Sequence, residues 1–138
     1  MVHIDLEYLG DLRCRATHAP SGNTLLTDAP VDNHGKGEAF SPTDLVATAL
    51  GGCLATVMGI VAQRENIDLR GMCISVDKEM TATSPRRIAK LSVRLDMPAV
   101  PEEQRVKLER AAKHCPVHAS LSPEVEVSID IQYPVTSA

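Results

Sequence analysis

Residues 41–65 read SPTDLVATALGGCLATVMGIVAQRE, and this stretch decides how the chain folds. Ser41 is a good N-cap, Pro42 suits the first helical position, and Asp44 can return a capping bond near the positive end of the helix. The segment therefore predicts a helix over residues 41–65, where Asn66 then breaks the pattern. A rise of about 1.5 Å per residue makes this helix about 36 Å long, enough to cross a whole domain.

No charged side chain occurs in residues 45–62, so the helix reaches the lower length limit for a membrane span. Gly51, Gly52 and Gly59 dilute its apolar character, and no Lys/Arg cluster or aromatic belt flanks it. A helix surrounded by protein is the better interpretation, and we expect no membrane partner. Because apolar residues surround its axis, a small monomer could hardly cover it, and we infer an oligomer with this helix at its centre.

Alternating polar and apolar residues on both sides of the helix indicate strands with one covered face. Three strands precede the helix and a hairpin follows it. A second helix begins at Pro101, carries Cys115 on its buried stripe and ends at Pro116, before a last strand. The predicted order is βββ-α-ββ-α-β, an α+β fold with the long helix packed on antiparallel sheets, in one domain over residues 1–138. The predicted strands are residues 2–8, 12–16, 24–27, 74–80, 91–97 and 125–133.

Charge and composition exclude several classes of partner. The chain has 14 Lys+Arg against 18 Asp+Glu and a formal net charge of -4, so it lacks the basic surface that nucleic-acid binding requires. Aromatic residues make up 2% of the chain and Trp is absent, which removes stacking platforms for bases. The first residues, MVHIDLE, alternate between polar and apolar side chains and include two acidic residues, which a signal peptide would lack. We therefore expect a cytoplasmic protein that binds no nucleic acid.

Four cysteines, none of them in a CxxC pair, are the candidate reactive side chains: Cys14, Cys53, Cys73 and Cys115. A reducing cytoplasm argues against permanent disulfides, so any bridge would be transient and catalytic. Cys14 and Cys73 fall on strand patterns and are interpreted as packing residues. His18 and His34 lie in turn or loop contexts, where we expect solvated side chains without a role.

Cys53 follows Gly51 and Gly52, which together cost about 2 kcal/mol of helix stability relative to alanine. Their small size lets another helix or a substrate approach the backbone beside the sulfur. A buried, inert structural thiol is the alternative interpretation of this cysteine.

Cys115 lies in HCPVH at residues 114–118, between two histidines. Such a segment can simply end a helix, with a histidine near the last carbonyls. It can also supply two metal ligands as Cys-x-x-His, with Cys53 or Cys14 as further ligands, although one pair falls short of the four that structural zinc takes.

Taken together, GEAFSPTDL at residues 37–45, ALGGC at 49–53 and HCPVH at 114–118 resemble the OsmC/Ohr family of thiol peroxidases, and the resemblance covers the chain. It implies an intertwined homodimer with the cysteine-bearing helices at its centre and two active sites at the subunit interface. That agrees with the oligomer inferred from the long helix.

The resemblance also implies a reaction. Cys53 would be the peroxidatic cysteine, which attacks the terminal oxygen of an organic hydroperoxide, releases an alcohol and becomes a sulfenic acid. Cys115 would resolve it to a disulfide, which an external dithiol reductant reduces, with no bound cofactor or metal. The apolar side chains near the first cysteine favour organic hydroperoxides over hydrogen peroxide; they are Leu50, Leu54, Val57 and Met58.

In the relatives an arginine from an early strand activates the thiol, because a free cysteine is only about 3% thiolate at pH 7. Arg13 and Arg15 are the candidates here. A glutamate ten residues before the first cysteine holds that arginine in the family, but this chain has Thr43 there, beside Asp44. Asp44, which also suits a capping role, and Glu38 are the candidate acids. The alternative function is a dimer that binds a small apolar or thiol ligand without efficient turnover.

Overall fold

The computed structural model describes residues 1–135. It confirms the α+β class, the three strands before the long helix and the hairpin after it. The chain forms two compact units, Met1–Val46 and Ala47–Ala138, and the single domain expected over residues 1–138 stays a prediction. The elements are β1 (Ile4–Gly10), β2 (Arg13–His18), β3 (Thr24–Asp28), α1 (Pro42–Arg64), β4 (Cys73–Met80), β5 (Ile88–Asp96), α2 (Glu102–Ala112), α3 (Pro116–Ser120) and β6 (Glu126–Gln132).

The first unit contains an antiparallel sheet in the order β1-β2-β3. Arg13 at the start of β2 lies directly opposite Asp28 at the end of β3. Apolar side chains of β1 alternate as predicted, yet Ile4, Leu6 and Tyr8 are 55%, 65% and 64% exposed. A sheet face with this much exposed apolar surface is typical of an interaction site.

The start of α1 is held by a reciprocal capping box. The Asp44 amide donates to Ser41 Oγ at 3.0 Å, and the Ser41 amide donates to Asp44 Oδ2 at 2.9 Å. The helix begins at Pro42 and ends at Arg64, and Asn66 then adopts a left-handed conformation with φ 55°. The predicted helix is therefore confirmed to within one residue at each end.

One face of α1 is buried in the protomer, and the other is open. Gly51 lies on the buried face, where an added Cβ would come within 2.9 Å of Val76 Cγ2 on β4. Gly52 lies on the open face, with nothing within 4 Å of such a Cβ. The sequence predicts that protein covers α1 on every side. Within residues 1–135 of one protomer, the face of α1 at Gly52 stays uncovered. The buried residues are Ala47, Leu50, Gly51, Leu54, Met58 and Ala62.

By length and composition alone, α1 could also cross a membrane, since the mean hydropathy of its most apolar window is 2.1. Core helices of soluble proteins share this property. The interpretation of α1 as a helix surrounded by protein stays a prediction.

The second sheet has the order β4-β5-β6 and corrects one expectation. β4 and β5 form the predicted hairpin, but β6 pairs with β5 in parallel, with Lys90 opposite Glu126. The expectation of wholly antiparallel sheets was therefore wrong for β6. The physical reason is that α2 and α3 connect β5 to β6, and a helical crossover returns the chain to the same end of the sheet. Leu91 and Leu95 of β5 are fully buried.

The second predicted helix is divided in two. α2 ends at Ala112 rather than at Cys115. Pro116 begins α3 instead of only ending a helix, because a proline at the first helical position has no N–H to leave unpaired. Cys115 is the N-cap of α3 and is buried, as its place on the apolar stripe predicted.

Candidate active site

Cys53 lies about three turns into α1 and is half-buried. Gly51, two residues earlier, packs closely on β4, so the backbone on that side is fixed. Gly52 faces open space in the protomer. Cys53 is therefore carried by a helix that packs closely on β4, and the residue is partly accessible to solvent.

Cys115 lies in a different environment. The residue is 1% exposed, and its Sγ accepts a hydrogen bond from the His118 amide at 3.5 Å. This contact is the N-cap interaction of α3, with sulfur in the place of the usual oxygen acceptor. The local sequence produces it because Pro116 starts the helix immediately after the cysteine.

The structure brings together the two cysteines that the sequence singles out. The Cys53 side chain lies near enough to the Cys115 thiol to raise its pKa. Burial raises the pKa of Cys115, and its hydrogen bond and charge interaction with Cys53 raise it further, while the amides of His118 and Val117 act in the opposite direction. Cys115 therefore holds its proton more tightly than an exposed thiol does. Two neighbouring cysteines can form a disulfide once one of them is oxidised.

Arg13 is held by two carboxylates in the first unit. Its guanidinium donates to Glu38 Oε2 at 2.6 Å and to Asp28 Oδ2 at 3.3 Å. The hydrogen bond to Glu38 raises the pKa of Arg13, so its charge is permanent. The Glu38 amide donates to the same Asp28 oxygen at 3.0 Å, which ties the loop that follows β3 to the end of that strand.

Asp28 is the residue of this cluster that the sequence reasoning missed. Its side chain is 1% exposed, and Oδ1 has no hydrogen-bond partner among residues 1–135. A buried carboxylate is costly unless it is paired, and Arg13 supplies the pair. The available signal was the acid at the end of the predicted strand 24–27, but its position opposite Arg13 follows only from the register of β2 and β3.

The other two candidates of the first unit have different surroundings. Arg15 is exposed and donates to Glu7 Oε1 at 2.5 Å across the β1–β2 pair. The Asp44 carboxylate serves the capping box of α1, and the Thr43 hydroxyl lies 3.2 Å from Ser41 Oγ. Asp44 therefore has the capping role that competes with holding an arginine.

Cys14, Cys73, His18 and His34 lie outside the cysteine pair and outside the HCPVH segment. Cys73 is exposed at the first residue of β4, so its interpretation as a packing residue was wrong, because the end of an edge strand has little to cover it. Cys14 is half-buried, and His18 and His34 are exposed as expected. Within residues 1–135, no group of three or more His, Cys, Asp or Glu side chains could hold a metal ion.

A family model described as OsmC-like protein matches residues 35–130. The chain belongs to the OsmC family. A crystal structure from Psychrobacter arcticus 273-4, of a protein named for osmotic stress induction and a detoxification response, is 40% identical to this OsmC-family chain. Its TM-score is 0.89, and the match covers 96% of each chain. None of the curated proteins matches the sequence.

Two further structures share the fold at lower identity. An organic hydroperoxide resistance protein OsmC from Legionella pneumophila is 19% identical, with a TM-score of 0.70 over 95% of this chain and 96% of its own. The organic hydroperoxide resistance protein OhrB of Bacillus subtilis is 16% identical, with a TM-score of 0.70 over 96% of this chain and 98% of its own. The resemblance to the OsmC/Ohr family is thereby confirmed.

Proposed function

We propose that this protein is a cysteine-based peroxidase that reduces organic hydroperoxides, and hydrogen peroxide as well, in cytoplasmic defence against oxidative stress. The observation that carries the proposal is that the half-buried Cys53 lies beside the buried Cys115 and raises the pKa of its thiol. Membership of the OsmC family, with relatives named organic hydroperoxide resistance proteins, supports the same activity. The reaction needs no metal or bound cofactor.

The proposed reaction has two steps in the protein. In the first, the Cys53 thiolate attacks the terminal oxygen of the hydroperoxide, the O–O bond breaks, and the alkoxide leaves as an alcohol after taking up a proton. In the second, the sulfur of Cys115 attacks the resulting sulfenic acid, a disulfide forms, and hydroxide leaves with the Cys115 proton as water. An external thiol then reduces the disulfide.

The surroundings of the two sulfurs support this division of roles. Cys53 is the accessible member of the pair, so a substrate can reach it. Cys115 is buried, and its raised pKa keeps it protonated until the sulfenic acid forms beside it. Val57 on α1 is half-buried and adds apolar surface close in sequence to the reactive sulfur, which favours organic hydroperoxides over hydrogen peroxide, whereas Leu50 and Leu54 are fully buried in the core.

Arg13, rather than Arg15, is proposed as the arginine that the resemblance requires. It is fixed by Glu38 and by the buried Asp28, whereas Arg15 makes an exposed ion pair. The two acids would thus replace the glutamate that the family has at the position of Thr43. In this proposal Arg13→Lys lowers the rate of peroxide reduction at least tenfold, while Arg15→Lys, the matched control on the same strand, leaves it within about twofold.

We also propose a homodimer. Its support is the exposed apolar face of β1 and the open face of α1 at Gly52, both of which lack cover within residues 1–135 of one protomer. Sedimentation equilibrium should give the dimer mass, and Leu6→Glu should shift it toward the monomer. Val106→Glu, a change at an exposed apolar residue of α2, is the control. A monomer mass for the unchanged protein would contradict the proposal.

The first test of the peroxidase function adds one equivalent of cumene hydroperoxide to the fully reduced protein. Free thiols are then counted, and disulfides are mapped by mass spectrometry. We expect two of the four thiols to be lost within seconds, in a bridge between Cys53 and Cys115. Repeating the experiment with hydrogen peroxide measures the preference for organic substrates, and equal rates would contradict that preference.

Three variants complete this test. Cys53→Ser should abolish thiol loss, and Cys115→Ser should stop the reaction at a sulfenic acid that dimedone traps on Cys53. Cys73→Ser is the matched control, because it removes an exposed thiol outside the pair. Four thiols that persist in the unchanged protein would contradict the peroxidase function and favour the alternative, a dimer that holds a small apolar or thiol ligand.

A further inference from the structure

Asp28, the buried acid at the end of β3, contacts both other members of the arginine cluster. Its Oδ2 accepts a hydrogen bond from the Arg13 guanidinium at 3.3 Å and another from the Glu38 amide at 3.0 Å. The Glu38 carboxylate in turn accepts from the Arg13 guanidinium at 2.6 Å. Asp28 therefore holds the arginine and also the backbone of the residue that carries the second acid.

The loop between β3 and α1 is closed at its base by the same residue. The Asp28 amide donates to the Phe40 carbonyl at 3.1 Å, so the loop leaves and returns at Asp28. Within the loop, the Gly37 amide donates to the Ala29 carbonyl at 3.2 Å. These hydrogen bonds restrict the positions that Glu38 can occupy, because it lies between the two bonded carbonyl and amide groups in sequence. Asp28 therefore also sets the position of the second acid.

The two acids differ in exposure. The side chain of Asp28 is 1% exposed, whereas that of Glu38 is 59% exposed. Water screens an exposed ion pair, and a pair shielded from water interacts more strongly. Asp28 Oδ1 has no hydrogen-bond partner among residues 1–135, so the charge of this buried carboxylate depends on Arg13 for compensation. The arginine is therefore fixed mainly from the buried side, although its hydrogen bond to Glu38 is the shorter one.

We propose that Asp28 is a positioning residue of the peroxidase reaction, which fixes the Arg13 guanidinium directly and the Glu38 carboxylate through the Glu38 amide. The inference rests on the proposed function, in which Arg13 activates the Cys53 thiol. In this role Asp28 acts through Arg13 and takes no part in bond making or breaking. Its loss can therefore lower the rate by no more than the loss of Arg13 does, and Glu38 contributes less from the solvent side.

The first experiment measures the rate at which cumene hydroperoxide oxidises Cys53 in fully reduced protein. Asp28→Asn keeps the shape of the side chain but removes its charge, and it should lower the rate at least about tenfold. Glu38→Gln should lower the rate about threefold, as expected for an exposed pair. Glu7→Gln is the matched control, because Glu7 pairs at the surface with the other arginine of β2, and it should stay within about twofold. An equal or larger loss in Glu38→Gln than in Asp28→Asn would overturn the proposal.

A double variant tests whether Asp28 acts through Arg13. Arg13→Gln combined with Asp28→Asn leaves neither charge buried without a partner, so this comparison remains informative if the single Asp28→Asn variant does not fold. The rate of the double variant should lie within about twofold of that of Arg13→Gln alone, because the two changes remove the same contribution. A further loss of rate in the double variant would show that Asp28 supports the fold rather than the arginine, and would overturn the proposal.

Alkylation of Cys53 by iodoacetamide separates this inference from the peroxidase function, because it measures the thiolate without any peroxide. Each protein carries Cys73→Ser to remove the exposed thiol, and mass spectrometry assigns the alkylated residue. Asp28→Asn should slow alkylation of Cys53 at least about threefold at pH 7, where the thiolate needs the arginine, and leave it unchanged at pH 10, where a cysteine ionises unaided.

Three outcomes of the alkylation experiment would overturn the proposal. Slower alkylation at both pH values would indicate structural damage, an unchanged rate at pH 7 would show that Asp28 does not support the thiolate, and faster alkylation at pH 7 would show that it repels the thiolate directly. A protein that gives the expected alkylation rates but does not react with hydroperoxides would refute the peroxidase function alone. A protein that reduces hydroperoxides but gives any of the three outcomes would refute the role of Asp28 alone.

Discussion

Gly51→Ala is expected to leave the protein less stable than Gly52→Ala, a change one residue further along the same helix. Each change replaces a helical glycine with alanine, which by itself stabilises a helix by about 1 kcal/mol. The two positions differ in what the new methyl group meets. At Gly51 it would stand 2.9 Å from Val76 Cγ2 and 3.1 Å from Ile74 Cγ2, and at Gly52 nothing lies within 4 Å.

The magnitude follows from these contacts. Val76 and Ile74 are β-branched and stiff at χ1, so their methyl groups cannot rotate away easily. Overpacking of this kind costs about 1–3 kcal/mol. Subtracting the gain in helix propensity leaves Gly51→Ala between unchanged and about 2 kcal/mol less stable. The difference between the two variants, about 1–3 kcal/mol, does not depend on helix propensity because that contribution cancels.

Urea unfolding followed by circular dichroism measures both free energies of unfolding at several protein concentrations. The concentration series separates a clash inside the protomer, which is independent of concentration, from a methyl group at Gly52 that opposes a partner subunit. Equal stability of the two variants at low concentration would refute the close approach of α1 to β4 as the reason for Gly51.

Three further predictions concern single side chains. Arg13→Ala should lower the free energy of unfolding clearly more than Arg15→Ala, because it leaves the Asp28 charge buried without a partner, whereas Arg15 makes an exposed ion pair; similar losses in urea unfolding would contradict this distinction. Ser41→Ala should cost about 1 kcal/mol by removing the α1 cap, and an unchanged thermal midpoint would argue against the capping box. Burial raises the pKa of Tyr133 to about 12, so stability should be fully present below its ordinary value of about 10 and fall as the pH rises toward 12. Tyr133→Phe should remove that part of the alkaline loss, which unfolding free energies measured across this pH range would detect.

The residues of the fold that could be predicted from the sequence are those whose structure depends on near neighbours. The start of α1 is determined by Ser41 and Asp44 within one turn, and the capping box appears as predicted. The direction of β6 could not be predicted in this way, because parallel pairing with β5 depends on the path of the whole connection through α2 and α3. Periodicity identifies a strand and its faces but not its partner.

The residues of the candidate site differ in the same way: some could be predicted from local sequence, and others depend on the tertiary structure. Cys53 and Cys115 could be found from motifs, and the structure brings their side chains together. Asp28 could not, because a single acid in a β-prone run looks like a surface residue until the strand register places it opposite Arg13. Cys73 was predicted to be a packing residue but is exposed. A residue on an apolar strand pattern can still lie uncovered at the end of an edge strand.

The sulfur that caps α3 gives the protein a spectroscopic signal of its own oxidation state. The His118 amide donates to Cys115 Sγ, so a change of that sulfur from thiol to disulfide alters the acceptor of a backbone hydrogen bond. The amide proton of His118 should therefore shift in a ¹H–¹⁵N spectrum whenever the cysteine pair is oxidised, even where no side chain is labelled. Such a resonance would follow turnover in the intact protein without any added dye or chemical trap.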